Sequence, residues 1–582
     1  MNGKILKELW KRGFIVSVDA IEFLKQIESQ LDLDTILSKL QVENITIITK
    51  QTLEKIIKID KNLSYRDSTG VQKDKSQKDN NFENIIHNKT SKNSISKNAN
   101  GSTILKFIQQ TTKIETKNKI KIEEKICIEI EKNTSNDIES PRVYSKLTQS
   151  SSSRVLICSQ KKRFVGDEFQ LYVDILKSYE LSKHEISVNT WVSYYRARLN
   201  KIKHLLKNHS ELSLFISFDQ LKRDIEEVSV VGLVRDKRIT SKGMVITLED
   251  SKGLLKVFIS QDLENFEEVQ SVPLDTVVGI RGKYLSYKKL LIADSFFYPD
   301  IPFKKVKKGE DDVWIAFTGD FQVGNKNFLK RPFERFIRWL KGEYGSEKER
   351  TLARKVGYLV LTGDLIDGVG IYPNQEKELE IVTAEEQYAA LERYFLEIPE
   401  SIQVITIPGN HDVVRLAEPQ PPIPKDFFPE TYELENFFYV SNPAYVKIHR
   451  LLDILIYHGY SMDWFVSEVS WIRERGGYDK PEEIMKFMLT IRHLAPTHGC
   501  NPYVPYPGQD PLVIDPVPDI FVTGHIHRTA YAVYKGVELI NASCFQGITQ
   551  YQLELGHKPD PGKVVLRNIK TGEVKILNFL SS

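Results

Sequence analysis

The stretch V-I-T-I-P-G-N-H-D, Val404 to Asp412, runs an apolar, strand-like segment abruptly into Gly-Asn-His-Asp. Pro408, Gly409 and Asn410 supply the turn. The histidine and aspartate call for another reason. Four further runs end in the same manner: V-W-I-A-F-T-G-D at Asp320, V-G-Y-L-V-L-T-G-D at Asp364, L-D-I-L-I-Y-H-G at His458, and P-D-I-F-V-T-G-H-I-H at His525 and His527. Each suits a buried strand. Helix-patterned stretches such as F-E-R-F-I-R-W-L and E-E-Q-Y-A-A-L-E-R-Y-F lie between some of them. Ligands of open α/β sheets sit beyond the carboxyl ends of strands, so the five ends can converge.

The donors themselves constrain the chemistry. Carboxylate and amide oxygens with imidazoles, and no thiolate, suit Mn²⁺, Fe²⁺ or Zn²⁺, with Mg²⁺ also compatible, rather than a soft metal. The set exceeds what one tetrahedral ion uses. A pair of divalent ions fits better, able to clamp a phosphate and activate water at neutral pH. Taken singly, each member has a bland explanation. His458 after an apolar run reads as a core histidine, Asp320 and Asp364 as turn formers, and His525-x-His527 as two residues on one face of a strand. It is their ordered recurrence that points to a site.

The chain has 582 residues, too many for one core, with 41% hydrophobic and 27% charged residues and a net charge of +3. That balance excludes a uniformly basic nucleic-acid binder. The four cysteines, Cys127, Cys158, Cys500 and Cys544, form no Cys-x-x-Cys pair, so neither a disulfide framework nor a zinc ribbon is expected; a reducing, cytoplasmic setting fits. The N-terminal residues show no apolar signal core, and no run reaches the roughly 20 apolar residues of a membrane helix.

Organisation follows from pattern shifts. Over 1–60, Ile21, Leu24, Ile27 and Leu31, then Leu37 and Leu40, predict a small helical N-terminal domain. Residues 61–160 are polar, as in N-K-T-S-K-N-S-I-S-K-N-A-N-G-S-T, and predict a flexible low-complexity linker. Over 161–223, Tyr195, Leu199, Ile202 and Leu206 predict a helical connecting segment with a core-facing stripe. Over 224–302, five short strands with turns predict an OB-like β-barrel. Such barrels bind single strands or dock proteins; Lys283, Tyr284, Tyr287, Lys288 and Lys289 are compatible with the first. Residues 303–582 carry the five polar-ended strands.

The order Gly-Asp, Gly-Asp, Gly-Asn-His-Asp, His-Gly, Gly-His-x-His resembles the calcineurin-like metallophosphoesterase superfamily over about 312–546. With the helical N-terminus, linker and barrel, the layout is similar to the small subunit of archaeal family-D DNA polymerase. R-H-L-A-P-T-H-G (492–499), N-P-A-Y-V (442–446) and P-D-I-F-V-T-G-H-I-H-R-T (518–529) also resemble that family. The resemblance implies a multidomain α+β protein whose C-terminal α/β domain is a two-sheet sandwich flanked by helices. It implies a manganese-dependent 3′–5′ exonuclease that acts on DNA, especially single-stranded 3′ ends, proofreads, and pairs with a large polymerase subunit. It also implies site roles. Asp364 bridges two ions, Asp320 and His527 hold one, and Asn410, His458 and His525 hold the other. His411 acts as general acid at the leaving 3′ oxygen, and the Asp367 carboxylate orients its ring.

One position departs from the family pattern. The first motif is ordinarily Asp-x-His, whereas this chain reads G-D-F-Q-V-G-N, placing Gln322 where an imidazole is expected. An amide oxygen ligates a hard ion more weakly, which implies a greater demand for Mn²⁺. Two other readings compete: a scaffold subunit with a weakened metal site, and a phosphoesterase acting on protein or small nucleotides. For R-H-L-A-P-T-H-G, Arg492 and His493 either contact a phosphate or the partner subunit, or serve a structural loop.

Overall fold

A computed structural model describes residues 15–16, 47–48 and 164–580, apart from 182–184, 208, 213, 550–551 and 553–557. The chain divides into two compact units, 1–152 and 153–582. In the first, Ile15–Val16 pairs in parallel with Ile47–Ile48; the rest of the helical domain expected over 1–60, and the linker over 61–160, lie outside the described residues.

The second unit is a mixed α/β assembly of several sheets. Its strands, in chain order, are β1 (Val173–Lys177), β2 (Ile225–Thr240), β3 (Gly243–Asp250), β4 (Gly253–Ser260), β5 (Val277–Leu285), β6 (Leu290–Phe297), β7 (Trp314–Thr318), β8 (Val356–Leu361), β9 (Gln403–Thr406), β10 (Phe437–Tyr439), β11 (Ala444–Ile448), β12 (Leu452–Ile456), β13 (Ile520–Thr523), β14 (Ala530–Tyr534), β15 (Val537–Asn541), β16 (Lys563–Asn568) and β17 (Val574–Asn578). The longer helices are α1 (Val188–Leu206), α2 (Lys330–Leu340), α3 (Glu347–Ala353), α4 (Ala384–Phe395), α5 (Met462–Glu468), α6 (Ser470–Glu474) and α7 (Pro481–Ile491).

Two six-stranded sheets form the C-terminal region, ordered β10-β9-β8-β7-β16-β17 and β14-β15-β13-β12-β11-β1. Alternation along each strand decides what meets what. Ile315, Phe317, Tyr358, Val360, Ile405 and Val565 of the first sheet share a buried cluster with Val446, Ile448, Ile454, Ile456, Ile520 and Val522 of the second. The opposite face of the first sheet, through Trp314, Ala316, Leu359 and Leu361, packs on Phe333, Phe336 and Ile337 of α2 and on Tyr388, Leu391 and Phe395 of α4. The outer face of the second, through Leu455, Phe521 and Leu539, packs on α5 and α7. The result is a two-sheet sandwich with helices on both outer faces.

Strands β2 to β6 close into a barrel in the order β2-β3-β4-β6-β5, with β5 returning to β2. Its interior holds Val230, Val234, Met244, Ile246, Val257, Ile259, Ile280 and Leu291.

Segment 161–223 departs from the helical reading. Helix α1 is present, and Leu199, Ile202 and Leu206 pack on Val231, Leu233 and Val277 of the barrel. Ahead of it, however, Val173–Lys177 is a strand, pairing antiparallel with β11 at Val173↔Ile448 and Ile175↔Val446. Leu171 and Val173 lean on the inter-sheet core, and the backbone pairing with β11 is what makes a strand of the segment.

A buried polar network joins α1, the barrel and the loop 493–510. Arg198, fully buried, donates from Nε to Asp510 Oδ2 (2.6 Å) and from Nη1 to the carbonyls of Pro496 (2.5 Å) and Asp275 (3.1 Å). His493 Nε2 lies 2.9 Å from the same Asp510 oxygen. Burial, reinforced by the Arg198 charge, pushes the His493 imidazole down to about 4. The unfolded chain, with histidine near 6.5, therefore binds the extra proton between those values. The His493 contribution is complete above pH ~6.5 and is lost as pH falls toward ~4, by up to about 3 kcal/mol. His493→Gln is expected to flatten stability against pH in that window, measured by denaturant midpoints from pH 4 to 7; an unaltered slope would refute this.

Candidate metal centre

The donors come from five strand ends. In the first sheet β7, β8 and β9 run parallel as neighbours and lead into Asp320, Asp364 and Asn410–His411. In the second, β12 and β13 run parallel and lead into His458 and His525–His527. Main-chain strain marks the same positions. Asp320 (φ 48°), Gln322 (54°), Asp364 (49°), His525 (67°) and His527 (57°) all occupy the left-handed region. For residues with a Cβ that region costs on the order of 1–3 kcal/mol each, and it is held where the surrounding fold imposes it.

Glycines permit the close approach. A Cβ on Gly409 would sit 2.1 Å from Asp364 Oδ1, and one on Gly524 2.4 Å from Asp320 Oδ2. The backbone thus passes against both carboxylates.

The side chains form one continuous cluster. Asp320 Oδ1 lies 3.4 Å from His527 Nε2 and accepts the His525 N–H at 3.0 Å. Asp364 Oδ1 lies 3.5 Å from His458 Nε2 and accepts the His411 N–H at 2.8 Å. His458 Nε2 is 2.8 Å from Asn410 Oδ1, and its Nδ1 donates to the Thr362 carbonyl at 2.8 Å. Asp364, His458 and His525 each offer a ligand atom within 4.8 Å of the others. Burial disfavours charge on Asp364, but the His458 and His411 imidazoles outweigh it and hold the carboxyl below its usual range. Burial holds His458 down, toward the neutral form that ligates.

Gln322 reaches the same cluster. Its Nε2 donates to Asp364 Oδ2 at 2.9 Å, while its buried Oε1 has no hydrogen-bond partner among the described residues. An orphaned amide oxygen beside two buried carboxylates and several imidazoles fits a divalent cation, which would satisfy it. The donor set therefore fits a paired hard-metal site.

His411 stands at the cleft without being embedded in it. Its Nδ1 lies 2.8 Å from the Asp367 main-chain oxygen, and its Nε2 lies 3.9 Å from Asp364 Oδ2. The Asp367 carboxylate was expected to orient this ring, but the contact is made by the carbonyl. The carboxylate instead accepts from Gln375 Nε2 (2.8 Å) and Asn325 Nδ2 (3.1 Å), a network that holds the carbonyl in place. The cleft, of about 110 Å³, is lined by Gln322, Asp364, His411, His525 and His527, with Tyr372 and Asp463 among its other walls.

Three residues of this site escaped the sequence reading. Asp412 accepts from the Gly409 and Leu365 N–H groups (2.8 and 3.3 Å) and from Tyr388 Oη (3.0 Å), tying the loop that carries Asn410 and His411. Its place in G-N-H-D was a visible signal. Gln552, 2.9 Å from His527 Nδ1, and Asp463, 3.0 Å from His525 Nε2, had none.

Other sequence candidates lie elsewhere. Arg492 is buried, donating to the Ile514 and Asp300 carbonyls, and His493 belongs to the Arg198 network, so both serve a structural loop. On the barrel, Tyr284 is core; Tyr287 is exposed with Lys288 Nζ 5.3 Å from its ring centroid, and Lys283 pairs with Glu226 at 2.8 Å.

The helix-flanked sandwich carries its carboxylate, amide and imidazole donors at the strand ends, where Asp364, His458 and His525 could together hold a metal ion. Residues 315–531 match the DNA polymerase alpha/epsilon B-subunit family. The chain is 37% identical over 394 residues to the DNA polymerase II small subunit of Methanothermobacter thermautotrophicus, covering 67% of this chain and 80% of that one. It is 32% identical over 465 residues to that of Thermoplasma acidophilum, covering 77% and 91%. To that of Pyrococcus abyssi it is 37% identical over 401 residues, covering 68% of this chain and 64% of the relative's length. The chain belongs to the archaeal DNA polymerase II small-subunit family. Among solved structures, an archaeal phosphodiesterase aligns with 46% of this chain and 99% of its own at 13% identity and a TM-score of 0.23. Among the described residues no helix is long and apolar enough to cross a membrane.

Proposed function

We propose that this chain is the small subunit of a family-D-type DNA polymerase and hydrolyses DNA from 3′ ends as its proofreading exonuclease. It would pair with a large polymerase subunit and act in the cytoplasm. The observation that carries this reading is the connected cluster of Asp320, Asp364, Asn410, His458, His525 and His527, with His411 beside it, its N–H tied to Asp364 and its ring engaged by the Asp367 carbonyl outside the cluster. Asp320, Gln322 and His527 would hold one divalent ion and Asn410, His458 and His525 the other, with Asp364 between them. Manganese is the first choice. Such ions, when bound, supply charge neutralisation at the phosphate and activation of water.

The chain's own groups do the rest. The Asp367 carbonyl keeps a proton on His411 Nδ1, which leaves Nε2 to carry the proton given to the departing 3′ oxygen. Asp412 and Tyr388 hold the loop that sets this ring in place. We further read the closed five-stranded barrel as an OB-type module. Exposed Tyr287 beside Lys288 suits a passing single strand, and docking of the large subunit is the alternative use.

Gln322 favours a second reading, a scaffold subunit whose metal site has weakened. A neutral donor leaves one ion held less firmly, so activity should survive at raised Mn²⁺. Gln322→His is expected to lower the Mn²⁺ concentration for half-maximal activity by about tenfold. No change in metal dependence would count against Gln322 as a ligand. Absence of 3′–5′ degradation of single-stranded DNA at any Mn²⁺ concentration, with or without the large subunit, would establish the scaffold reading. Turnover of phosphoprotein but not DNA would favour the third.

A further inference from the structure

Helix α5 begins four residues after His458, and its Met462 and Phe465 are fully buried among the helices behind the second sheet. That anchoring sets Asp463, in the first turn, toward the cleft, where its Oδ2 lies 3.0 Å from His525 Nε2. A carboxylate only accepts, so Nε2 carries the hydrogen and the ring is left with Nδ1 as its donor atom. The His525 main chain is fixed at the same time, its N–H held by Asp320 and its φ at 67°. Ring and backbone are therefore both constrained, and the His525 ligand atom falls within 4.8 Å of those of Asp364 and His458.

We infer that Asp463 is a positioning residue for the metal site: it fixes the His525 tautomer, presents Nδ1 to the ion shared with Asn410 and His458, and raises that nitrogen's basicity. Carboxylates behind a ligating imidazole commonly act so. The inference rests on the paired-metal reading above but not on nuclease activity. A purely local role is the alternative, since an acidic side chain in a first helical turn also steadies the helix.

The two separate by titrating Mn²⁺ calorimetrically into the full-length wild type, Asp463→Ala and Asp463→Asn, alongside melting of each metal-free protein. Asp463→Ala is expected to weaken one of two Mn²⁺ sites by about 10–100-fold with the metal-free melting temperature unchanged. Asp463→Asn, which keeps an acceptor oxygen without its charge, should lose less. Affinities within about threefold of wild type, or losses that only follow lowered melting temperatures, would overturn the inference. Wild type that binds Mn²⁺ without hydrolysing DNA would defeat the exonuclease reading alone; wild type that binds none would defeat both.

Discussion

Asp364→Ala should reduce Mn²⁺-dependent release of nucleotides from single-stranded 3′ ends by at least about a thousandfold, roughly 4 kcal/mol of transition-state stabilisation. The Asp364 carboxylate gathers its partners inside the cleft. It meets His458, Gln322 and the His411 N–H, and Gly409 is a glycine so that the chain can pass it. Removing it would leave three imidazole or amide groups facing one another without the charge that gathers them, and neither ion could be shared. The fold should persist, because the carboxylate lies at strand ends rather than in the inter-sheet core. The measurement is degradation of a 3′-labelled oligonucleotide, with circular dichroism as the folding control. Residual activity above about a tenth of wild type in a folded variant would remove Asp364 from the centre of the mechanism.

His411→Ala should behave differently. A positioned general acid contributes about 10²–10⁴-fold, so kcat should fall by that range. Metal affinity should hardly change, because the ring is engaged by the Asp367 carbonyl and faces Asp364 only at 3.9 Å. Calorimetric Mn²⁺ binding equal to wild type, together with lost turnover, would support the acid role. A parallel loss of Mn²⁺ binding would make His411 a ligand instead. The pair of variants thus separates holding the ions from moving the proton.

Much of this site could be read in advance because each donor follows an apolar run in the chain itself. Asp320, Asp364 and His525 are local statements, a strand then a glycine then a candidate donor, and His458 follows its apolar run directly and precedes its glycine. The barrel strands were legible because short apolar runs separated by turns such as S-K-G recur over 224–302. What the linear pattern hid is tertiary. Asp463 sits on a helix with no motif of its own and acquires meaning only when α5 packs beside β13. Arg492 and His493 look available in sequence, yet Arg198 on α1 and Asp510 consume the histidine within the fold. The Asp367 contact came through its carbonyl because the carboxylate was claimed by Gln375 and Asn325, neither a neighbour in a motif. Val173–Lys177 escaped because a five-residue edge strand carries little periodicity, and its partner β11 lies far along the chain.

That strand has an engineering consequence. The polypeptide visits the sandwich at β1, leaves for α1 and the barrel, and returns at β7, so the barrel is an insertion whose two ends are both rooted in the sandwich. A fragment started at the barrel's far side would expose the hydrogen-bonding rim of β11, an invitation to self-association. Any minimal fragment carrying the metal centre should therefore start ahead of Leu171, and grafting in a foreign barrel should respect both attachment points.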